Sequence, residues 1–144
     1  MIAVDTNILV YAHRADSEWH ETAARTIRRL AEGSGAWAIP WPCVPEFLSV
    51  ATHPRIFRTP TPIAAALEQV DAWMEAPTLV RLAEDEDYWS VLRTLIGQAR
   101  VVGPRVHDAR IAALCLAHGI RELWTADRDF SAFPSLRTRN PLVG

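Results

Sequence analysis

The chain has 144 residues, of which 49% are hydrophobic and 22% charged, with a formal net charge of −2, which is ordinary for one globular domain with a real core. No apolar stretch approaches the ~18 residues that a membrane-spanning helix needs, so we expect no membrane span. All 15 basic residues are arginine, and the absence of lysine excludes P-loop ATPases, Schiff-base enzymes, receiver domains and haloacid-dehalogenase-type phosphatases.

The first half of the chain has the patterns of two strands and four helices. Strands are predicted at 2–5 and 36–39, and helices at 7–13, 17–32, 43–52 and 62–75. Thr6 or Asn7 can cap the first helix and Ser17 the second, because short polar side chains accept hydrogen bonds from the free N–H groups of a helix start. An apolar stripe marks the fourth helix as amphipathic, and it is formed by Ile63, Leu67, Val70 and Met74.

The second half of the chain alternates strands with helices. Strands are predicted at 78–82 and 121–125, with a possible last strand at 136–139, and helices at 86–98 and 107–118. Gly97 and Gly119 are typical of helix ends. Because the alternation runs without a repeat or a linker, we predict a single α/β domain over residues 1–144 with a mainly parallel sheet.

The cysteines and the first residues bear on the compartment of the protein. Cys43 and Cys115 lie far apart and form no CxxC pair, which predicts two buried free thiols rather than a disulfide or a metal site. The chain begins Met-Ile-Ala-Val-Asp, with no basic segment ahead of an apolar run, so no secretory signal is evident. We therefore expect a cytoplasmic protein.

Acidic residues follow two of the predicted strands. Asp5 ends the first strand, and Asp127 and Asp129 come directly after the strand that ends at Thr125. In open α/β sheets, binding sites lie outside the carboxyl ends of the strands. A turn or a helix cap explains the later pair as simply, since Asp is common at both. Asp5 is the sharper case, because Asp is seldom buried without a partner.

Two helices begin with an acid close to their apolar side. Asp108 shares a helix face with Ile111, Ala112 and Cys115, at the i+3, i+4 and i+7 positions. Glu46 lies in the first turn of an earlier helix. The helix dipole alone favours acids at such positions, and for Glu46 this explanation is as good as a functional one. It does not explain why Asp108 lies on the apolar face.

The acids together predict a metal site. Four segments bring carboxylates to the edges of apolar elements, and clustered carboxylates repel each other unless a cation lies between them. Mg²⁺ or Mn²⁺ suits carboxylate and water ligands, whereas zinc would need histidine or cysteine, and the histidines have no ligand spacing. Only His107 is a candidate, with a capping or surface role as the simpler explanation. Such a site activates water and stabilises charge on a phosphoryl oxygen, which predicts metal-dependent phosphodiester hydrolysis.

The acids lie in four motifs that follow one another in a specific order: "VDTNILVYA", Glu46 near a helix start, "HDARIAAL" and "LWTADRDF". This series resembles the PIN-domain family, and more closely the VapC-type ribonuclease toxins of bacterial toxin–antitoxin pairs. The resemblance covers nearly the whole chain, through "NPL" at 140–142. It implies a three-layer α/β/α fold and an endoribonuclease that depends on Mg²⁺ or Mn²⁺.

The resemblance also implies roles for single residues and for partners. The residues that match the family's metal-binding acidic quartet are Asp5, Glu46, Asp108 and Asp127. Asp129 is a fifth catalytic candidate, since family members differ in how they use this pair of acids. Thr6, Asn7 and Thr125 match positions that support the acids by hydrogen bonds. The quartet is intact, so we expect activity, and the family implies a homodimer, a VapB-like antitoxin and a structured RNA target such as tRNA or rRNA.

Arginine and tryptophan residues suggest where partners could bind. RNA phosphates could be held by Arg14, Arg55, Arg58 and Arg128, although a plain surface role is at least as simple for each. Trp37 and Trp124 are expected in the core. For Trp19, Trp41, Trp73 and Trp89 a core position is favoured over a dimer or antitoxin surface. Part of an apolar groove for an antitoxin helix is expected between residues 41 and 75.

Two other classes of function stay open. One is a PIN-fold nuclease or phosphatase that uses the same acids and metal on DNA or nucleotides, which a panel of substrates would distinguish. The other is a PIN-fold binding module without catalysis. The intact acidic quartet argues against such a module, and a lack of divalent-metal binding would favour it.

Overall fold

Five short strands form one sheet in the computed structural model, which describes residues 1–144. The strands are β1 (Ile2–Val4), β2 (Trp37–Pro40), β3 (Leu79–Leu82), β4 (Glu122–Trp124) and β5 (Thr138–Arg139). Their order across the sheet is β3-β2-β1-β4-β5, and every neighbouring pair is parallel. The predicted parallel sheet is confirmed, and each strand overlaps the range predicted for it.

Six helices cover the sheet. They are α1 (Thr6–His13), α2 (His20–Glu32), α3 (Cys43–Ala51), α4 (Ile63–Met74), α5 (Tyr88–Ala99) and α6 (Val106–Ala117). Helix α1 packs against α2 and α3, whereas α5 packs against α6, and short 3-10 helices lie at Gly103–Arg105 and Arg128–Ala132. The result is the three-layer α/β/α fold that the resemblance implied. None of the helices combines the length and the apolar character needed to cross a bilayer.

The two central strands are buried because they are apolar on both faces. Ala3 and Val4 of β1 have no exposed surface, and all four residues of β2 are buried. Strands covered by helices on both faces have continuous apolar runs of this kind. The polar residues of these segments are therefore confined to the strand ends, where side chains leave the core.

The order of the strands reverses beside β1, and this reversal creates a crevice at one edge of the sheet. The chain passes from β1 to β2 and β3 on one side, and it then crosses to β4 and β5 on the other. Val4 pairs with Trp124, and the backbone N–H of Asp5 donates to the Trp124 carbonyl at 3.0 Å. The carboxyl ends of β1 and β4 thus lie side by side, where α/β sheets commonly form binding sites.

Helix α2 begins later than predicted, and Ser17 does not cap it. The Ser17 hydroxyl accepts a hydrogen bond from the Trp19 backbone N–H at 3.1 Å, within a turn that precedes the helix. Helix α2 starts at His20 without a side-chain cap. A short polar residue before a helical pattern can serve such a turn as well as a cap.

Helix α4 buries only part of its predicted stripe, since Val70 is buried and Met74 packs against the core while the other two residues are exposed. Ile63 and Leu67 of that stripe are 57% and 47% exposed. The buried residues are Ala66, Val70 and Trp73. The Trp73 ring packs edge-on against Phe47 of α3 with centroids 4.8 Å apart, and this contact orients the helix.

The tryptophans divide between the core and the surface. Trp37 and Trp73 are buried, and Trp19 and Trp124 are half-buried. The expectation of a core position is wrong for Trp41 and Trp89, which are 43% and 63% exposed. Both cysteines are buried free thiols, as predicted.

Candidate active site

Asp5 is buried at the carboxyl end of β1 and forms the N-cap of α1. Its Oδ1 accepts a hydrogen bond from the Thr6 backbone N–H at 2.8 Å. Its Oδ2 accepts from the Thr125 hydroxyl at 2.7 Å and from the Asn7 side-chain amide at 3.2 Å. The Cys43 thiol donates weakly to Oδ1 at 3.8 Å. Four neutral donors therefore fix the orientation of this buried carboxyl group.

Thr125 joins the end of β4 to the end of β1. Its hydroxyl donates to Asp5 and accepts from the Asn7 amide at 3.1 Å and from the Asp127 backbone N–H at 3.0 Å. The Asn7 side-chain oxygen accepts from the Ala126 backbone N–H at 3.1 Å. Because one hydroxyl offers one donor and two acceptors, Thr125 uses its full hydrogen-bonding capacity here. Two segments that are far apart in sequence are thereby locked together.

Glu46 and Asp108 reach the same crevice from two helices. Each lies in the first turn of its helix, α3 for Glu46 and α6 for Asp108, where the helix dipole favours negative charge. Together with Asp5 and Asp127 they line one cavity of about 340 Å³. The four acids of the predicted quartet thus line one cavity from four separate segments, and Asp108 and Asp127 are the two of them with carboxylate oxygens within 4.8 Å of each other.

Asp129 lies beside this cavity rather than in its lining. Carboxylate oxygens of Asp108, Asp127 and Asp129 lie within 4.8 Å of one another. The Asp127 Oδ1 accepts from the Asp129 backbone N–H at 2.8 Å, and this bond orients Asp127. Asp129 itself is exposed. Its position allows it to act as an outer acid of the cluster.

Burial and mutual repulsion make the acids of the site hard to ionise. Burial raises the pKa of Asp5 to about 6, although the hydrogen bonds from Thr125 and Thr6 oppose the rise. Burial and the negative charge of Asp127 raise the pKa of Asp108 to about 6. The pKa of Glu46 is also raised, by desolvation and by the charge of Asp108. A cation at the site would reverse these shifts, because it favours the charged form of each acid.

The chemistry of this donor set fits a hard divalent cation. The ion pairs of the protein join Arg14 to Asp16 and His118 to Asp85, so none of the acids that line the cavity has an ionic partner. The buried Thr6 hydroxyl lines the cavity and has no hydrogen-bond partner. Mg²⁺ usually keeps several waters when it binds to proteins, and such a water could satisfy this hydroxyl.

Arg14 is a structural residue in this fold, contrary to its predicted place at the rim of the site. Its Nε and Nη2 donate to Asp16 at 2.9 and 2.6 Å, and its Nη1 donates to the Thr59 carbonyl at 2.8 Å. The guanidinium also lies over the Phe57 ring, 4.0 Å from its centroid. Because Arg14 is buried and its donors are engaged, the structure argues against the predicted phosphate contact.

The other three predicted arginines are exposed near the cavity. Arg55 and Arg58 flank Ile56 and Phe57, both of which line the cavity. Arg128 lies between the two late acids. Cations at these positions would offset the negative charge that the acids present to an approaching phosphodiester.

Two contacts of the site were missed in the sequence. The Arg105 Nη2 donates to the Asp129 carbonyl at 3.0 Å, and the charge of Arg105 partly offsets the raised pKa of Asp108. Cys43, which was predicted only as a buried thiol, contacts Asp5. Arg105 lies three positions before Asp108, and Cys43 lies three positions before Glu46. Such spacing places two helical side chains on one face.

Replacing Thr125 by valine tests the support that this hydroxyl gives to Asp5. Valine preserves the shape but removes the donor to Asp5 and the acceptor for the Asp127 N–H. We expect the ribonuclease activity that the resemblance implies to fall by about 10- to 100-fold, the usual effect of removing a partner that orients a metal ligand. The measurement is kcat/KM for a defined RNA at saturating Mg²⁺.

Thr94→Val is the matched control for this variant. Thr94 is exposed on α5, and its hydroxyl donates only to the Ser90 carbonyl of the same helix. We expect this variant to retain the wild-type rate. Equal rates for the two variants would show that Thr125 does not orient the acids.

Comparisons with known proteins agree with the motifs. The PIN domain family model matches residues 2–136. Ribonuclease VapC43 of Mycobacterium tuberculosis is 38% identical over 144 residues, which cover 100% of this chain and 97% of that protein. Ribonuclease VapC48 of the same species is 31% identical over 140 residues, with 97% of each protein covered.

Solved structures share the fold. FitAcB from Neisseria gonorrhoeae superposes with a TM-score of 0.71 at 17% identity over 100% of both chains. VapBC2 from Rickettsia felis, bound to a DNA fragment from its promoter, gives a TM-score of 0.67 at 21% identity, covering 97% of this chain and 98% of that one. At such low identity these likenesses establish the three-layer architecture alone.

Proposed function

The chain belongs to the PIN-domain family and, through its full-length relatives, to the VapC ribonucleases within it, and we propose that residues 1–144 act as a single-domain endoribonuclease toxin. The reaction is hydrolysis of RNA phosphodiester bonds. The observation that carries this proposal is the cavity of about 340 Å³ in which four acids without ionic partners meet at the point where the strand order reverses.

We propose that Mg²⁺ or Mn²⁺ is held by the four acids of the cavity, namely Asp5, Glu46, Asp108 and Asp127. When bound, the ion would act as a Lewis acid that polarises the phosphoryl group, and it would lower the pKa of a water bound to it. Asp5 serves as the rigid acid of this set, because four donors hold its carboxyl group. Asp129 assists from outside the cavity.

Glu46 is the acid that we assign to proton transfer. Among the four acids that line the cavity, Glu46 alone is exposed, so its carboxylate is open to the water that a general base must deprotonate. In this role its carboxylate accepts a proton from the attacking water. The backbone of α3 fixes its position relative to Asp5, through the contact between Cys43 and Asp5.

The substrate is held by arginines around the acids. Arg55, Arg58 and Arg128 bind RNA phosphates in this proposal, because they are exposed and adjoin residues of the cavity. Phosphate contacts of this kind position a nucleic acid without reading its sequence. The choice among structured RNAs such as tRNA or rRNA must therefore come from other contacts.

A VapB-like antitoxin neutralises the enzyme in this proposal, and the active form is a homodimer. Relatives in solved structures are complexes of VapB with VapC. Between the end of α3 and the end of α4, the large apolar side chains that are exposed are Ile56, Ile63 and Leu67. Exposed apolar side chains on a helix fit an amphipathic antitoxin segment.

Cleavage of RNA by the purified protein tests this function. Total cellular RNA is incubated with the protein in the presence of Mg²⁺, Mn²⁺ or EDTA, and the new ends are sequenced. We expect discrete cuts with either metal and none with EDTA. A co-expressed antitoxin should suppress the cuts.

The same assay separates the remaining classes of function. Single-stranded DNA, duplex DNA and nucleotides are incubated under the same conditions. Cleavage of DNA or nucleotides while RNA stays intact would replace the ribonuclease by a different metal-dependent hydrolase. Divalent-metal binding measured by calorimetry, if it were absent, would favour a binding module without catalysis.

A further inference from the structure

A groove leads away from the acidic cavity along the carboxyl edge of the sheet. Glu46 and Asp108 line the acidic cavity, and they also line a second cavity of about 440 Å³. Pro42 and Arg110 line this second cavity and also a third one of about 520 Å³. Because neighbouring cavities share lining residues, the three adjoin one another in a row that leads outward from the acids.

Trp41 forms one wall of the third cavity, and it is 43% exposed. Its backbone is fixed on both sides, since its N–H donates to the Leu82 carbonyl at 3.0 Å and its carbonyl accepts from the Val44 N–H at 3.0 Å. Pro42 and Pro45 line the same cavity and restrict the backbone further. With its backbone fixed, Trp41 has only two side-chain torsions to order when a ligand stacks on the indole.

Arg110 is the arginine of this groove, and the acid Glu84 also lines the third cavity. Arg110 lies two residues after Asp108 on α6, and it lines both the second and the third cavity. The ion pairs of the protein do not involve it. An unpaired guanidinium beside an exposed indole is suited to a nucleotide, which offers a phosphate and a flat base.

We propose that the cavity beside Trp41 binds an unpaired base of the RNA substrate, which stacks on the indole while Arg110 holds an adjacent phosphate. This inference rests on the proposed ribonuclease function, because the groove receives its strand from the acidic cavity. It assigns Trp41 and Arg110 to substrate binding rather than to chemistry. A base that is paired in a duplex could not stack there, so the subsite favours a loop or a single-stranded segment.

Trp41→Ala and Trp41→Phe test the stacking contact on an oligonucleotide that contains a mapped cut site. We expect Trp41→Ala to raise KM by about 10-fold with little change in kcat, as for the loss of one stacked base. Phenylalanine keeps an aromatic face and should restore most of the affinity. Trp89→Ala, which removes an exposed tryptophan of α5, is the matched control and should keep the wild-type KM.

Abasic substitutions locate the stacked base. Each position near the cut is made abasic in turn, and KM is compared between wild-type protein and Trp41→Ala. At one position wild-type protein and Trp41→Ala should have the same KM, because the base that stacks on the indole has been removed. A variant that merely disturbs the fold would instead be slower on every oligonucleotide, and that result would overturn the proposal.

The phosphate contact has a separate readout. Arg110→Gln should lower the slope of log KM against log salt by about 0.7, the contribution of one phosphate contact to a single strand. An unchanged slope would remove Arg110 from the subsite. If Trp41→Ala bound the antitoxin less tightly and cleaved RNA with the wild-type KM, the surface would be a protein-docking site and the proposal would fail.

Binding without cleavage distinguishes failure of the subsite from failure of the ribonuclease. The anisotropy of a labelled single-stranded RNA is measured with Ca²⁺, another oxygen-binding divalent cation. Weaker binding by Trp41→Ala, with no cleavage by wild-type protein in any metal, would support the subsite and reject the ribonuclease. Cleavage by wild-type protein with equal binding and equal KM for the variant would reject the subsite alone.

Discussion

Asp108→Asn should lower kcat/KM for RNA cleavage by about 1,000-fold or more, since a bound metal ion contributes several kcal/mol to transition-state stabilisation. The half-buried Asp108 carboxylate faces the cavity and lies within 4.8 Å of carboxylate oxygens of Asp127 and Asp129. Asparagine keeps the shape but removes a negative charge and one of the two oxygens with which we propose that Asp108 binds the metal. The measurement is kcat/KM at saturating Mg²⁺, together with thermal unfolding of the same sample.

Thermal unfolding makes this experiment specific to the site. Burial and the surrounding like charges raise the pKa of Asp108, so removing its charge should leave the metal-free protein as stable as before or more stable. Asp71→Asn, on the exposed surface of α4, is the control for the same chemical change and should cleave at the wild-type rate. Activity of Asp108→Asn within 10-fold of wild type would contradict the assignment of this acid.

The centre of the fold and the grouping of the acids could be predicted because the relevant signals are local. The run from Ile2 to Val4 is apolar on both faces, so it had to be a buried strand, and Asp5 had to lie at its end. Parallel strands place their carboxyl ends at one edge, and the residues after β4 therefore face Asp5. Asp108 was placed by helical spacing alone.

Features that depend on distant partners could not be predicted. Arg14 follows α1 and was expected at the rim, but its contacts include Thr59 and Thr61, which are more than forty residues away in sequence. The inward face of α4 was predicted only in part for a similar reason. Its apolar residues surround more than half of the helix, so the contact between Trp73 and Phe47 decides which side is buried.

The exposure of Trp41 illustrates how a turn of the chain can override a compositional expectation. Aromatic residues near strand ends are commonly buried, and β2 ends only one residue before Trp41. The chain turns into α3 at Pro42, and the indole is left at the edge of a groove. Departures of this kind from local rules are expected at functional positions.

The metal-free protein should lose stability as the pH rises through the range in which Asp5 ionises. Burial raises the pKa of Asp5 from 3.8 to about 6 in the folded state, so the folded protein binds this proton more tightly than the unfolded chain. The free energy of unfolding therefore falls between about pH 4 and pH 6 and stays lower above it. A shift of roughly two pKa units corresponds to about 3 kcal/mol.

The difference in unfolding free energy between wild-type protein and Asp5→Asn isolates the contribution of Asp5 ionisation. Both are unfolded by urea in EDTA at several pH values, and Asp71→Asn serves as the charge-neutral control at an exposed site. Relative to Asp5→Asn, wild-type protein should lose up to about 3 kcal/mol between pH 4 and pH 7.5, whereas Asp71→Asn should follow the wild type. Asp5→Asn can differ from wild-type protein by the same unfolding free energy at every pH, because asparagine cannot accept all the hydrogen bonds that Asp5 accepts. Such a constant difference leaves the dependence of stability on pH unchanged.

Addition of Mg²⁺ connects this stability effect to function. A cation that binds the ionised acids of the folded protein raises the free energy of unfolding at neutral pH, and it has little effect at pH 4, where Asp5 is protonated. Wild-type protein should therefore regain stability with Mg²⁺ at pH 7.5, and Asp5→Asn should regain much less. If the two proteins responded equally to Mg²⁺, Asp5 would not be a ligand. The loss of stability with rising pH would then result from the burial of Asp5 alone, and the acidic cavity would need another explanation.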